Sequence, residues 1–204
     1  MILYDNGLPL AVIGYIESSL TQEVVYLFKE EWPRFNQVGI ITPDDFYSLT
    51  AIQRKRCQYA VAFNKDQVER TGILNMLEIE KLNCPTGIHS KAFVADPVTI
   101  GHGVMVAPFA ALYANCTIGD YTIIDSYAMV SHYTSIGDHC HLRPGAIIAG
   151  KTTVGDHCNF GLRSTVADGI AVCDNVNLGG MSGISKNIEK PGTYVGTPAR
   201  RVGD

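Results

Sequence analysis

Residues 118–160 read IGDYTIIDSYAMVSHYTSIGDHCHLRPGAIIAGKTTVGDHCNF, and their periodicity decides the fold. Stepping by six from Ile118 gives Ile124, Val130, Ile136, Leu142, Ile148, Val154 and Phe160, all apolar. The column runs back through Leu112, Val106, Ile100 and Val94 to Ile88, and on through Val166, Val172 and Leu178 to Ile184. That is 17 apolar residues in 17 steps, where the chain's 46% hydrophobic content would supply about eight. Such a fixed short period signals a β-solenoid, whose turns bury their apolar faces only by stacking on one another.

Four residues after each apolar position stands a second column, from Ala92 to Ile188. It is mostly small, as at Ala110, Cys116, Thr122, Ala128, Thr134, Cys140, Ala146, Thr152, Cys158 and Ser164. Small residues at that phase fit a tight corner with the side chain turned inward. A period of 18 lies over the period of six: Gly101, Gly119, Gly137 and Gly155, with Asp120, Asp138 and Asp156 after three of them. Glycine recurring at one corner predicts either positive φ or close backbone approach. Three hexapeptides per coil describe a three-sided parallel prism of about five to six coils over residues 83–188.

Residues 1–82 have another texture. Ile2-Leu3-Tyr4 is a strand candidate and Asp5-Asn6-Gly7 a turn, followed by an expected helix over Leu8 to Ser19. Strands are expected at Glu23 to Phe28, Val38 to Ile41 and Tyr59 to Phe63. Helices are expected from Thr42-Pro43-Asp44-Asp45 to Cys57 and from Lys65 to Leu82, the first opened by a capping hydroxyl, a proline and two acids. This alternation predicts a small parallel α/β domain. Residues 189–204 form a tail that covers the open end of the last coil.

The net charge of −4 and the lack of a basic run speak against a nucleic-acid partner. Neither a membrane-spanning apolar stretch nor a signal peptide at Met1 is read, so no membrane insertion is expected. The six cysteines lack CxxC spacing, and Cys116, Cys140 and Cys158 fall in the inward column; they read as reduced core residues of a cytoplasmic protein.

Residues 18 apart stack in adjacent coils, about 4.8 Å apart. His132 therefore lies beside Gly150, Asp125 beside Arg143, and His139 beside His157. His132 reads either as a solvated corner histidine or as a base with ligand space over a bare backbone. Asp125 reads either as the ion-pair partner of Arg143 or as a substrate contact. The pair His139 and His157 reads as a solvated corner or as two ligands of a metal needing a third histidine from a neighbouring subunit. Ser131 adjoins His132 in sequence, but nothing demands a nucleophile of it.

Residues 130–150 resemble the active-site coil of bacterial sugar acetyltransferases of the PglD/NeuD group, whose pattern is roughly HDxxIGDxxHIxPGAxLxG. His132, Ile136-Gly137-Asp138, His141, Pro144-Gly145-Ala146 and Gly150 match it, and Gly196-Thr197-Pro198-Ala199-Arg200 is similar to the group's closing GxPAK. The resemblance implies a left-handed parallel β-helix of hexapeptide repeats behind a Rossmann-like α/β domain that binds a nucleotide-sugar. It implies an acetyl-CoA-dependent N-acetyltransferase acting on the amine of a UDP-4-amino-4,6-dideoxy sugar by direct transfer, without metal.

His132 would be the general base, with Asp125, Asp5, Asn6, Gly7, Asn64 and Lys65 on the substrate side. His141, Gly150, Gly161, Gly179, Gly180, Lys186 and Arg200 would meet CoA, the Gly150 amide acting as oxyanion donor. A groove between subunits implies a homotrimer. Two departures stand out: Tyr133 replaces the acid that usually follows the histidine, and the group's glycine-rich loop is reduced to Asp5-Asn6-Gly7. The rival readings are O-acetylation of a sugar such as a sialic acid, a zinc carbonic-anhydrase-like solenoid, and a non-catalytic sugar-nucleotide scaffold.

Overall fold

The structure, a computed structural model, describes residues 2–3, 8–14, 21–22, 24–25, 29, 38–62 and 67–203. Asp5, Asn6, Gly7, Asn64 and Lys65, expected on the substrate side, lie outside the described residues. The chain divides into two units, Met1–Gly87 and Ile88–Asp204.

In the first unit, Leu10–Ile13 is the central strand of a three-stranded parallel sheet, with Val38–Ile41 on one side and Gln58–Val61 on the other. The helix expected over Leu8 to Ser19 is thus replaced at its start by a strand. The reason is burial on both faces: all four residues of Leu-Ala-Val-Ile are buried, and an enclosed strand shows no alternation. Conversely, Val24–Val25, within the strand expected from Glu23 to Phe28, are helical, as are Thr21–Gln22 just before it. There Thr21, Val24 and Val25 are buried and Gln22 is exposed, which is helical spacing.

The helix expected from Thr42 to Cys57 is two helices, Pro43–Ser48 and Ala51–Arg54. Thr42 caps the first as expected, but Thr50 with Gln53 forms a second capping box and starts a new helix. A third helix, Gln67–Ile79, is tied to the second by Arg54, whose Nε donates to Glu80 Oε2 at 2.9 Å. Ile2–Leu3 pairs antiparallel with Thr86 and Gly87.

The second unit is a parallel β-solenoid of two-residue strands in three sheets. The first face stacks Met105–Val106, Ile123–Ile124, His141–Leu142, Asn159–Phe160 and Val176–Leu178. The second stacks Phe93–Val94, Ala111–Leu112, Met129–Val130, Ile147–Ile148, Thr165–Val166 and Gly183–Ile184. The third stacks Thr99–Ile100, Thr117–Ile118, Ser135–Ile136, Thr153–Val154 and Ala171–Val172.

Every register step within these faces is 18 residues, and the six-step apolar column fills the core, with Val106, Leu112, Ile124, Val130, Leu142, Ile148, Phe160 and Leu178 inaccessible. The small column also faces inward, and its hydroxyls bridge coils: Thr122 Oγ1 donates to Gly137 O (3.0 Å) and Thr134 Oγ1 to Ala149 O (2.9 Å). The tail strand Gly192–Val195 adds in parallel to Val176–Leu178 and buries Tyr194.

The corners between the third and first faces resolve the glycine question. At Gly101, Gly119, Gly137 and Gly155 no positive φ is needed; a Cβ would strike the carboxylate of Asp120, Asp138, Asp156 and Asp174 respectively. Those carboxylates form a ladder. Asp120 Oδ1 accepts from His102 N (2.7 Å), Asp138 Oδ1 from Asp120 N (2.7 Å), Asp156 Oδ1 from Asp138 N (2.8 Å), and Asp174 Oδ1 from Asp156 N (2.9 Å). Positive φ falls at another phase, on Gly103, Phe109, Asn115, Tyr121, Tyr127, Tyr133, His139, Gly145, Lys151, His157, Arg163, Gly169, Asn175 and Met181, one at each of these corners.

Replacing Gly137 by Ala is therefore expected to lower solenoid stability by about 1–3 kcal/mol through overpacking. Its Cβ would collide with Asp156 Oδ1 and lie 2.7 Å from the Gly155 carbonyl carbon. Gly180→Ala, whose Cβ would meet Leu162 O at 3.4 Å, is the control and should leave the unfolding midpoint nearly unchanged. Equal losses in the two variants would remove the stacking explanation.

Candidate active site

His132 stands at the corner between the second and third faces, between Met129–Val130 and Ser135–Ile136. Corner geometry holds it from three sides. Its carbonyl accepts from Lys151 N in the next coil (3.0 Å). The following residue, Tyr133, takes φ 57° and turns its ring edge-on to the imidazole, with centroids 5.7 Å apart and planes at 86°. Ser131 Oγ lies 3.3 Å from His132 Nδ1. The opposite edge of the ring lies over Gly150: a Cβ there would sit 3.0 Å from both Cε1 and Nε2. The sequence-predicted neighbours His132 and Gly150 are thus close, and a side chain at 150 would crowd the ring.

Gly150 O accepts from Gly169 N (2.9 Å), while Gly150 N–H enters no hydrogen bond among the described residues. It is a backbone donor beside an imidazole, which is the pairing an acyl-transfer site requires. From Ala149 a groove of about 540 Å³ runs up the second face between Ile147, Thr165, Gly183 and Ser185 and ends at Thr197 and Pro198. Its floor is built of small outward residues, because the larger side chains of these strands point into the core. The groove's residues were not among the sequence-predicted contacts. The signal was present in the outward phase Ile147, Thr165 and Gly183, which loses bulk along the chain.

The remaining predicted residues fall in three places. Lys186 shares the corner column of His132 and Gly150, two coils beyond Gly150. Gly161, Gly179 and Gly180 lie at the corner between the first and second faces. Gly161 has a structural reason to be glycine, since a Cβ would strike Gly180 N and come within 2.7 Å of Gly179 C. Arg200 is exposed in the tail strand Arg200–Arg201, paired antiparallel with Tyr194 and Val195.

Asp125 and His141 meet each other rather than the partners expected. Asp125 Oδ2 lies 3.5 Å from His141 Nε2, with both side chains buried, and Asp125 Oδ1 accepts from Ser126 N at 2.7 Å. The expected ion pair with Arg143 is not made; Arg143 Nε donates to Asn159 Oδ1 at 3.1 Å. Asp125 and Arg143 are 18 apart as predicted, but the arginine reaches into the next coil, to the column of His141 and Asn159. This acid–imidazole pair lies on the first face and its corner with the second, away from the His132 corner within one chain.

His139 and His157 stack as predicted, with ring centroids 4.7 Å apart and planes at 9°, and Tyr121 extends the stack below at 5.4 Å. Face-to-face rings send their in-plane lone pairs out side by side instead of converging them on a point, so the stack is a poor chelate. Among the described residues no group of three or more His, Cys, Asp or Glu could hold a metal ion. All six cysteines are free. Burial pushes the Cys116 thiol up to about 11. The Cys140 thiol is raised by the hydrogen bond it shares with Cys158, and further by burial. The thiols of Cys116 and Cys140 are thus held in their unreactive form.

Residues 97–132 and 115–150 match the family "Bacterial transferase hexapeptide (six repeats)", and residues 151–185 match "Hexapeptide repeat of succinyl-transferase". No curated protein sequence matches the chain. Among solved structures, the acetyltransferase domain of PglB from Neisseria gonorrhoeae is similar at a TM-score of 0.82 and 22% identity, covering 95% of this chain and 99% of that one. A variant of perosamine N-acetyltransferase from Caulobacter crescentus, in complex with CoA and GDP-perosamine, is similar at 0.85 and 22%, covering 96% and 97%. WeeI from Acinetobacter baumannii is similar at 0.81 and 22%, covering 96% and 100%. Residues 97–185 thus match hexapeptide-repeat models, on a fold similar to that of these bacterial proteins.

Proposed function

We propose that this protein is an acetyl-CoA-dependent N-acetyltransferase acting on the amine of a nucleotide-linked amino sugar. The observation that carries the reading is the His132 imidazole lying against the bare backbone of Gly150, the residue that follows Ala149 of the groove. A thioester in that groove would bring its carbonyl to the Gly150 N–H. The acceptor amine attacks the carbonyl carbon, forming the C–N bond, while His132 takes the amine proton. The tetrahedral oxyanion draws on the Gly150 donor, the C–S bond breaks, and the imidazolium returns its proton to the departing thiolate. No covalent enzyme intermediate is needed, and no metal takes part.

An amine acceptor is favoured because the Caulobacter crescentus protein of the same fold is a perosamine N-acetyltransferase. We take a UDP-4-amino-4,6-dideoxy sugar as the first acceptor and its GDP-linked counterpart as the second, since that same protein is complexed with GDP-perosamine. With this reading go a left-handed coil, a Rossmann-like first unit that binds the nucleotide, and a cytoplasmic setting. No helix among the described residues is long and apolar enough to cross a membrane.

We also propose a homotrimer. The third face is lined outwardly by Thr99, Thr117, Ser135 and Thr153, whereas the second face and its corners expose Phe93, Tyr113, Tyr127, Ile147, Leu162 and Met181. An apolar surface of that extent calls for a partner. Its two edges carry His132 on one side and the Asp125–His141 pair on the other, so packing of copies would unite in one cleft what a single chain keeps apart. Light scattering should return the mass of three chains.

Release of CoA thiol from acetyl-CoA, measured over a panel of nucleotide amino sugars, tests the activity. His132→Ala is expected to lower kcat by about 10²–10⁴-fold, the usual contribution of a general base. Gly150→Ala should fold but push the ring from its seat, with a loss of up to about 10²-fold. Turnover on hydroxyl sugars alone would move the protein to O-acetylation. Undiminished turnover in His132→Ala would sink the mechanism.

A further inference from the structure

The imidazole of His132 needs a partner that fixes which nitrogen is protonated, and Tyr133 stands where the resembling group has an acid. The phenol cannot take over that role, because Tyr133 meets the imidazole edge-on and is 62% exposed. The polar atom that does approach the ring is on the other neighbour: Ser131 Oγ, 3.3 Å from Nδ1. The coil holds the Ser131 backbone, its N–H donating to Ile148 O at 2.9 Å, at the edge of the second face.

We infer that Ser131 is the positioning residue of His132: its hydroxyl oxygen accepts Nδ1–H, fixing the neutral ring with Nδ1 protonated and Nε2 bare. This inference rests on the transferase reading for its catalytic consequence, though not for its geometry. A serine hydroxyl can donate or accept, so the ring's task decides the direction. Nε2 is the nitrogen beside Gly150, where the groove begins. It can take a proton there only if it carries the lone pair, which leaves the hydrogen on Nδ1 and the acceptor role to Ser131. When Nε2 is protonated, the Nδ1–H···Oγ bond becomes charge-assisted and shortens, so the same contact stabilises the imidazolium. Tyr133 packs against the ring at 5.7 Å between centroids, and Gly150 adds no side chain that would crowd Cε1 and Nε2.

The test uses the full-length protein with nitrogen-labelled histidine. Side-chain nitrogen spectra are recorded at about pH 8, where an ordinary imidazole is neutral, and His132→Ala identifies the signal among the six histidines. The expected result is a wild-type His132 in the Nδ1–H form, a shift towards the Nε2–H form in Ser131→Ala, and restoration in Ser131→Thr. A wild-type ring in the Nε2–H form, or an unchanged tautomer in Ser131→Ala, overturns the inference. In the CoA-release assay, Ser131→Ala should lower kcat roughly 5-fold, the scale of one lost neutral hydrogen bond, with KM for acetyl-CoA unchanged and the threonine variant near wild type. A kcat unaffected by Ser131→Ala also overturns it. Absence of wild-type turnover on every acceptor strikes the transferase reading alone, because the tautomer spectra are read without substrate and still decide the ring's orientation.

Discussion

A carboxylate laid over a bare backbone sets the pitch of this solenoid. At each corner between the third and first faces, an aspartate oxygen accepts the N–H of the aspartate one coil below and occupies the volume a Cβ would need. The peptide N–H there has no strand partner, because the chain is turning, and a buried donor left unpaired costs free energy comparable to a lost hydrogen bond. Burial raises the Asp138 carboxyl above its ordinary value, the Asp120 N–H it accepts lowers it, and the charges of Asp120 and Asp156 raise it again. The ladder therefore balances like-charge stacking against peptide satisfaction, and the close approach it requires is why glycine recurs every 18 residues.

The same problem is solved differently at the corner that carries His132. There Gly150 stands one coil beyond His132 where the ladder has an aspartate, so no carboxylate from that coil caps the His132 N–H, and a Cβ at Gly150 would come within 3.0 Å of the His132 ring. The aspartate ladder and the proposed site thus occupy two different corner columns of the same coil. From Gly103 to Met181 each corner passes through one residue of positive φ, and Tyr133 occupies that position beside His132 as Tyr121 and His139 do on the ladder side. Its backbone strain belongs to the coil's geometry, and its ring borders the site.

The inward column directs most of its polarity to the next coil, the buried Ser164 hydroxyl being an exception without a partner among the described residues. Its threonines donate to carbonyls of the next coil, and Cys140 and Cys158 make sulfur contacts with Gly155 O (3.2 Å) and Cys173 O (3.3 Å). A thiol placed so behaves as a small hydrophobe with a weak donor and takes no part in the site. The buried pair Asp125 and His141 is the polar exception on the first face, and it meets the edge of the prism that faces away from the His132 corner.

The period of six, the stacking of His132 on Gly150 and that of His139 on His157 were legible in the sequence, because an in-register parallel coil converts separation in sequence directly into neighbours in space. The choice between positive φ and close approach at Gly137 was not legible, since both favour glycine. Nor was the partner of Asp125, which depends on the reach of Arg143 towards Asn159 rather than on register. In the first unit the same limit produced the exchange of helix and strand before residue 30. An enclosed strand such as Leu10–Ile13 and a short buried helix turn both read as apolar runs, and only the sheet built with Val38–Ile41 and Gln58–Val61 distinguishes them. Repetition let the sequence by itself determine the solenoid. Wherever an interaction is made once, by a side chain long enough to choose among neighbours, only the tertiary structure decides it.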